Sequence, residues 1–249
     1  MNKKNGFTVL ELAVVLFIIG LVLGGAIMAL TAQIDIKRSN DTQKGLEDIK
    51  EALIGFAIKN KYLPCPDKTT AAGAGVAPNT PNDGLEDVTA GGACVTQEGN
   101  VPWTTLGVSD LDAWGHRFHY RVTPAYSNHN VPFKLSDTGT LSVCQTAPGG
   151  VCSTPIAINL PAVVLSFGPN GKGAITSTGI LIPAPAGPAP TPPATNADEY
   201  ENTNQNNLFV SRAKSVTGGT LGEFDDQVAY LSSLVIINRM TAAGVPPGP

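Results

Sequence analysis

Residues 4–30 read KNGFTVLELAVVLFIIGLVLGGAIMAL. Lys3 and Lys4 precede an apolar run from Phe7 to Ala32 in which Glu11 is the one charged residue. Such a run covers the ~20 residues that span a bilayer as a helix, and the flanking lysines predict a cytoplasmic N-terminus. A secretory signal would stop at small residues after its apolar core. Gly24, Gly25 and Ala26 imitate that ending, but the run continues through Ile27, Met28, Ala29 and Leu30. A carboxylate in hydrocarbon is costly and is kept where it has a partner. No lysine or arginine lies between Phe7 and Ile36. A cut after Gly6 would give Phe7 an α-amino group one helical turn from Glu11. Pairing of that amine with Glu11 of a neighbouring subunit would fix the axial register of an assembly, a use of a buried ion pair for specificity.

The helix does not stop with the apolar run. No proline occurs from Ile34 to Asn60, and Leu46, Ile49, Leu53 and Phe56 recur at spacings of three and four, with Ala52 and Ala57 beside them. That is one apolar stripe. The spacing predicts a single helix from about Phe7 to Lys61, ended before Pro64. Its parts are a leader at 1–6, a transmembrane half at 7–32 and an amphipathic half at 33–61. Residues 62–249 then form a second, sheet-containing domain.

The 249-residue chain is 42% hydrophobic, enough for a real core, and carries a net charge of −4, which gives nucleic-acid binding no electrostatic support. The 27 glycines and 20 prolines predict long irregular connections. Four cysteines without a C-x-x-C spacing favour two disulfides over zinc. Three connectivities exist; proximity favours Cys144 with Cys152 and Cys65 with Cys94.

After Pro64 the signals are those of strands. In WGHRFHYRV, residues 114–122, Trp114, His116, Phe118, Tyr120 and Val122 alternate with Arg117, His119 and Arg121, a period-two strand. Pro132–Leu135 and Thr140–Val143 flank a D-T-G turn and suggest a hairpin. Ala162–Phe167 reads as a buried strand and Gln227–Leu231 as a last one. Ser232 or Ser233 is placed to cap a short helix to Ala243, with Gly244 just past its end. PAPAGPAPTPP, residues 183–193, is an extended proline-rich insert. The fold class expected is α+β: a long N-terminal helix whose outer half packs on an antiparallel sheet.

Catalytic patterns are weak. His116, His119 and His129 are the only histidines, no G-x-S-x-G occurs, and the Gly171–Lys172 pair lacks the rest of a phosphate loop. Asp225 and Asp226 would face opposite sides of a strand. Trp103, Trp114 and Tyr120 read as core. A non-catalytic protein is expected.

The segment K-x-G-F-T-V-L-E-L followed by an apolar helix resembles the type III signal of the type IV pilin family, which includes pilins and the pseudopilins of type II secretion. The resemblance implies cleavage between Gly6 and Phe7 by a prepilin peptidase, N-methylation of Phe7, and an assembly role for Glu11. DAWGHRFHY (112–120) is similar to the D-P-W-G-x-x-Y-x-Y segment of major pseudopilins. SFGPNGKG (166–173) and FDDQV (224–228) are similar to later segments of the same proteins. Major pseudopilins bind Ca²⁺ in a late loop, which makes Asp198, Glu199, Glu201, Asn202, Asp225 and Asp226 candidate ligands. Two features depart from the family: no proline loosens the apolar helix, and the insert and four cysteines exceed the small major pseudopilin. The resemblance therefore implies a minor or atypical pseudopilin. It would be single-pass in the inner membrane with a periplasmic domain, and would assemble with other pilin-like subunits on an inner-membrane platform. A pilus subunit or tip adhesin is the alternative, and a signal-anchored periplasmic enzyme the more distant one.

Overall fold

The structure, a computed structural model, describes residues 8–70, 80–147, 150–185, 197–215 and 222–248, leaving out the side chains of 23–31 and 197. The Gly6–Phe7 junction and most of the proline-rich insert lie outside the described residues. In chain order the elements are α1 (Val9–Asn60), β1 (Glu98–Asn100), α2 (Trp103–Leu106), β2 (His119–Val122), β3 (Leu141–Cys144), β4 (Pro155–Leu160), β5 (Ala162–Ser166), α3 (Ala197–Glu201), β6 (Leu208–Val210), β7 (Gln227–Leu231) and α4 (Ser233–Ala242). The chain divides into two compact units, Met1–Asn40 and Asp41–Pro249.

In the first unit, α1 exposes its large apolar side chains, with Val9 at 87% and Phe17 at 68% of full accessibility. Among the described residues no helix is long and apolar enough to cross a membrane. The side chains of 23–31, inside the expected span, are not among them.

In the second unit the remainder of α1 buries the stripe read from the sequence. Leu46, Ile49, Leu53, Ile54 and Ala57 are inaccessible, and Phe56 is half-buried. They pack with Phe118 just ahead of β2, with Tyr120, Val122, Ala162, Val164 and Leu231 from the sheet and with Ile236 and Met240 from α4. Gly45 lets the helix approach: a Cβ there would stand 2.9 Å from Phe118 Cζ. After Asn60 the backbone turns left-handed at Lys61 (φ 64°), whose N–H closes the helix on the Ala57 carbonyl at 2.8 Å. Pro64 follows, so the helix cannot resume.

The main sheet has the order β1-β2-β5-β7, with every neighbouring pair antiparallel. All five residues of β5 are buried, because its two faces serve two clusters. Ala162 and Val164 meet the helix. Val163 and Leu165 meet Leu141, Val143, Phe167 and Phe209 on the other side. The run AVVLSF is apolar throughout because neither face is solvated.

The α+β class and the antiparallel sheet are as expected. A second sheet, β4-β3-β6, is mixed: β3 runs antiparallel to β4 and parallel to β6. Two expectations need correction. The hairpin at D-T-G does not form. Asp137 instead closes a local turn with Lys134, taking its N–H on Oδ2 at 2.7 Å, and a Cβ on Gly139 would stand 2.2 Å from the Leu160 carbonyl carbon. That close crossing delivers β3 to β4. The strand expected over 114–122 is laddered only over His119–Val122. Upstream, Asp112 Oδ1 accepts the N–H groups of Trp114 and His116, each at 2.9 Å, and diverts the chain into a turn. At the C-terminus Ser232 is extended at the N-cap of α4, and Gly244 (φ 75°) lies past its end.

Disulfides join Cys65 to Cys94 and Cys144 to Cys152. The first lies inside the helix–sheet core. The second closes a short loop between β3 and β4.

Candidate functional site

The chemistry of the second unit concentrates where three segments meet: the turn after β5, the short α3, and the start of β7. Glu199, Asp225 and Asp226 each bring a carboxylate oxygen within 4.8 Å of the others. All three residues are more than nine-tenths buried. Among the described residues Asp225 Oδ1, Asp226 Oδ1 and Glu199 Oε2 accept no hydrogen bond, and Lys172 Nζ lies 3.6 Å from Glu199 Oε2. Buried polar atoms are almost always satisfied, so the unmet oxygens of Asp225 and Asp226 are acceptors of the kind a hard cation satisfies.

The surrounding contacts orient the other oxygens. Asn170 Nδ2 donates to Glu199 Oε1 at 2.5 Å, and the Asn170 N–H donates to Asp225 Oδ2 at 3.3 Å. Asn202 donates to Asp226 Oδ2 at 2.7 Å, while its own amide is locked onto the backbone of Val210. Gly168 (φ 60°) passes so close that a Cβ would sit 2.3 Å from the Asp225 carbonyl. Burial pushes Asp225 up to about 7, with the Glu199 charge adding to it. Burial also raises Asp226 and Glu199. All three shifts share one first cause, the removal of the carboxylates from water.

Of the six acidic and amide residues singled out in the sequence, the structure brings Glu199, Asp225 and Asp226 together and uses Asn202 to orient one of them. Asp198 accepts from Arg212 Nε at 2.8 Å and from the Ala147 N–H, and Glu201 accepts from Asn206. Neither joins the convergent set. Sequence reasoning misses Asn170, and also Lys172, whose Nζ lies 3.6 Å from Glu199 Oε2 and donates to Glu223 Oε2 at 2.7 Å. Asn170 and Lys172 lie in the turn SFGPNGKG, whose asparagine is the available signal. Asp225 and Asp226 both contribute because they precede β7 instead of lying in it, so strand alternation does not separate them.

The remaining motif, DAWGHRFHY, meets SFGPNGKG. Ser166 donates to Asp112 Oδ2 at 2.6 Å, and His116 Nδ1 lies 3.1 Å from the Gly168 carbonyl and 3.9 Å from Asp112 Oδ2. Ser166 is fully buried and bonded to the carboxylate itself, so this is a lock between two turns and not a nucleophile beside its base. A second grouping, Cys65, Glu86 and His129, has His129 Nε2 2.9 Å from Glu86 Oε2. There the sulfur of Cys65 is committed to Cys94.

In the first unit, Thr8 and Glu11 form a reciprocal cap on α1. The Thr8 N–H and hydroxyl both donate to Glu11 Oε2, at 3.0 and 2.9 Å, and the Glu11 N–H donates to Thr8 Oγ1 at 3.3 Å. This is the T-x-x-E capping box. The spacing is present in the sequence, where the search for a long-range partner of Glu11 overlooks it. Thr8 holds the carboxylate at the first turn, beside the residue at which cleavage is expected.

Residues 1–27 match the family model described as the prokaryotic N-terminal methylation motif, consistent with a type IV pilin-like prepilin cleavage motif. No curated protein and no solved structure matches the chain.

Proposed function

We propose that this chain is a structural subunit of a type IV pilus-like filament, acting as a pseudopilin in type II protein export. The observation that carries the reading is the methylation motif running directly into a capped helix whose large apolar side chains, from Val9 to Val22, are left exposed among the described residues. An exposed apolar surface of this extent requires lipid or other subunits. In this reading residues 7–32 lie in the inner membrane until the subunit is drawn onto its assembly platform. There the helices of neighbouring subunits replace lipid. A prepilin peptidase hydrolyses the Gly6–Phe7 amide, and the freed Phe7 amine takes a methyl group from a sulfonium methyl donor, giving up one proton as the sulfonium becomes a thioether. That amine, beside the Thr8-held carboxylate of Glu11 or facing a neighbour's, supplies the cation for it. No catalytic role is assigned to the chain.

The pseudopilin assignment, in preference to a pilus subunit, is favoured by the meeting of the three late motifs. Asp112 bonds Ser166, and Asn170 of the same turn bonds Asp225 of the FDDQV segment. We further assign Ca²⁺ to Glu199, Asp225 and Asp226, an all-oxygen set suited to a hard cation. Bound calcium would neutralise the carboxylates and tie α3 and the start of β7 to the turn after β5.

N-terminal mass spectrometry of the protein from its native membrane tests the processing step; N-methylated Phe7 is expected. Mature material that begins at Met1, or beyond Ala26, refutes it. Glu11→Ala should leave insertion and folding unchanged and abolish cross-linked assemblies, and an unchanged assembled fraction removes the assembly role. Calorimetric titration with CaCl₂ tests the metal.

A further inference from the structure

The acidic cluster carries its own cation. Lys172 Nζ donates to Glu223 Oε2 at 2.7 Å and lies 3.6 Å from Glu199 Oε2, an ion-pair separation longer than a hydrogen bond. Its backbone N–H is fixed on Asn170 Oδ1 at 2.9 Å. Asn170 in turn holds Glu199 and Asp225. One turn, N-G-K-G, therefore supplies both the residue that orients the carboxylates and the ammonium that faces them. The lysine side chain is 31% accessible, whereas that of Glu199 is fully buried. Lys172 can swing toward solvent and Glu223, and Glu199 cannot follow. The other nearby cations act from farther off: Arg212 is bonded to Asp198 and acts on Asp226 through space, and Lys214 acts on Asp225 in the same way.

We propose that Lys172 is a tethered internal counterion that competes with the divalent ion for Glu199. This rests on the calcium reading of the site. In the metal-free protein Lys172 leans between Glu199 and Glu223 and offsets the repulsion among Glu199, Glu223, Asp225 and Asp226. When Ca²⁺ enters, Glu199 turns to the metal and Lys172 retires to Glu223. The metal-free fold is thereby kept intact, and metal affinity is held below what three buried carboxylates would give alone. The site is an exchangeable one, able to lose its metal without unfolding. Glu223 is the parking position that makes the exchange reversible, although it is not itself a ligand.

The test is calorimetric titration of CaCl₂ into the purified full-length chain in detergent, after chelator treatment, with melting curves in chelator and in excess calcium. Lys172→Met should tighten calcium binding roughly tenfold, as expected for removing a positive charge a few ångströms from a divalent ion. It should also lower the melting temperature in chelator, widening the calcium-dependent shift. Lys172→Arg, which keeps the charge, should bind within about twofold of wild type. Glu223→Gln removes the parking position and should weaken binding. In the double variant Lys172→Met/Glu223→Gln that weakening should disappear. Wild type binding calcium with Lys172→Met at equal or lower affinity overturns this proposal and leaves the metal assignment standing. A wild type and a Lys172→Met chain that both fail to bind overturn both. If Lys172→Met is unfolded in chelator, its refolding on calcium addition, absent for Asp225→Asn, supports the proposal, and failure of calcium to refold it overturns the counterion role.

Discussion

Removing the two disulfides separately should give unequal losses whose order is set by loop length. Cys65–Cys94 encloses 29 residues of sequence separation and Cys144–Cys152 encloses 8. In the chain-entropy relation the first closure is worth about 3.6 kcal/mol at 25 °C and the second about 2.5 kcal/mol. The difference of about 1.1 kcal/mol is the sharper prediction, since errors common to both cancel. Packing acts in the same direction. Cys65 and Cys94 lie in the helix–sheet core beside Leu63 and Tyr126, whereas Cys152 is half-exposed on a loop. Alanine at 65 and 94 therefore leaves a small void and Cys144→Ala/Cys152→Ala a smaller one. The assay is urea denaturation of the full chain and of the two double-alanine variants in the same detergent, comparing midpoints at a common slope. Equal losses, or a larger loss for the short loop, would refute the reasoning, because neither entropy nor burial would then rank the bridges.

Gly45→Val should destabilise the second unit by about 1–3 kcal/mol in the same assay, because the new Cβ meets the ring of Phe118 deep in the core. Gly20→Val, where nothing lies within 4 Å, is the matched control. Tyr120→Phe should cost about 1–2 kcal/mol, since the buried hydroxyl donates to the Pro64 carbonyl at 3.1 Å and the variant leaves that acceptor unpaired. Burial raises Asp67 from 3.8 to about 7 in the folded chain, against hydrogen bonds from Gly84 and Asn100 that lower it. Between about pH 4 and 7 the folded form thus holds a proton that the unfolded form has released. Its contribution is fully present below about pH 4 and is lost as pH rises through about 7, on the order of 1–4 kcal/mol. Asp67→Asn should be less stable at pH 4 and should lack that part of the decline; parallel pH profiles for the two proteins would exclude the assignment.

The elements easiest to read are those with one kind of neighbour. The stripe from Leu46 to Ala57 turns one face to the core formed by the sheet and α4, so its period is complete in the sequence. The run from Ala162 to Phe167 reads as buried because both its faces are covered. What fails depends on side chains that redirect backbone. Asp112 shortens the expected strand at 114–122, and Asp137 and Gly139 replace the hairpin by a crossing. The parallel pairing of β3 with β6 joins residues more than sixty positions apart and leaves no local trace. At the acidic cluster, Asp225 and Asp226 are visible as a pair and Glu199 as one acid among several. Their convergence depends on Asn170, which reaches Glu199 and Asp225 from a segment legible only as a turn.

The double coverage of β5 constrains how the second unit comes apart. Ala162 and Val164 belong to one cluster, Val163 and Leu165 to the other, and five consecutive residues cannot release one set while the other stays in register. Melting of either layer therefore drags the other with it, and calorimetry should record one endotherm where two stacked cores would otherwise give two.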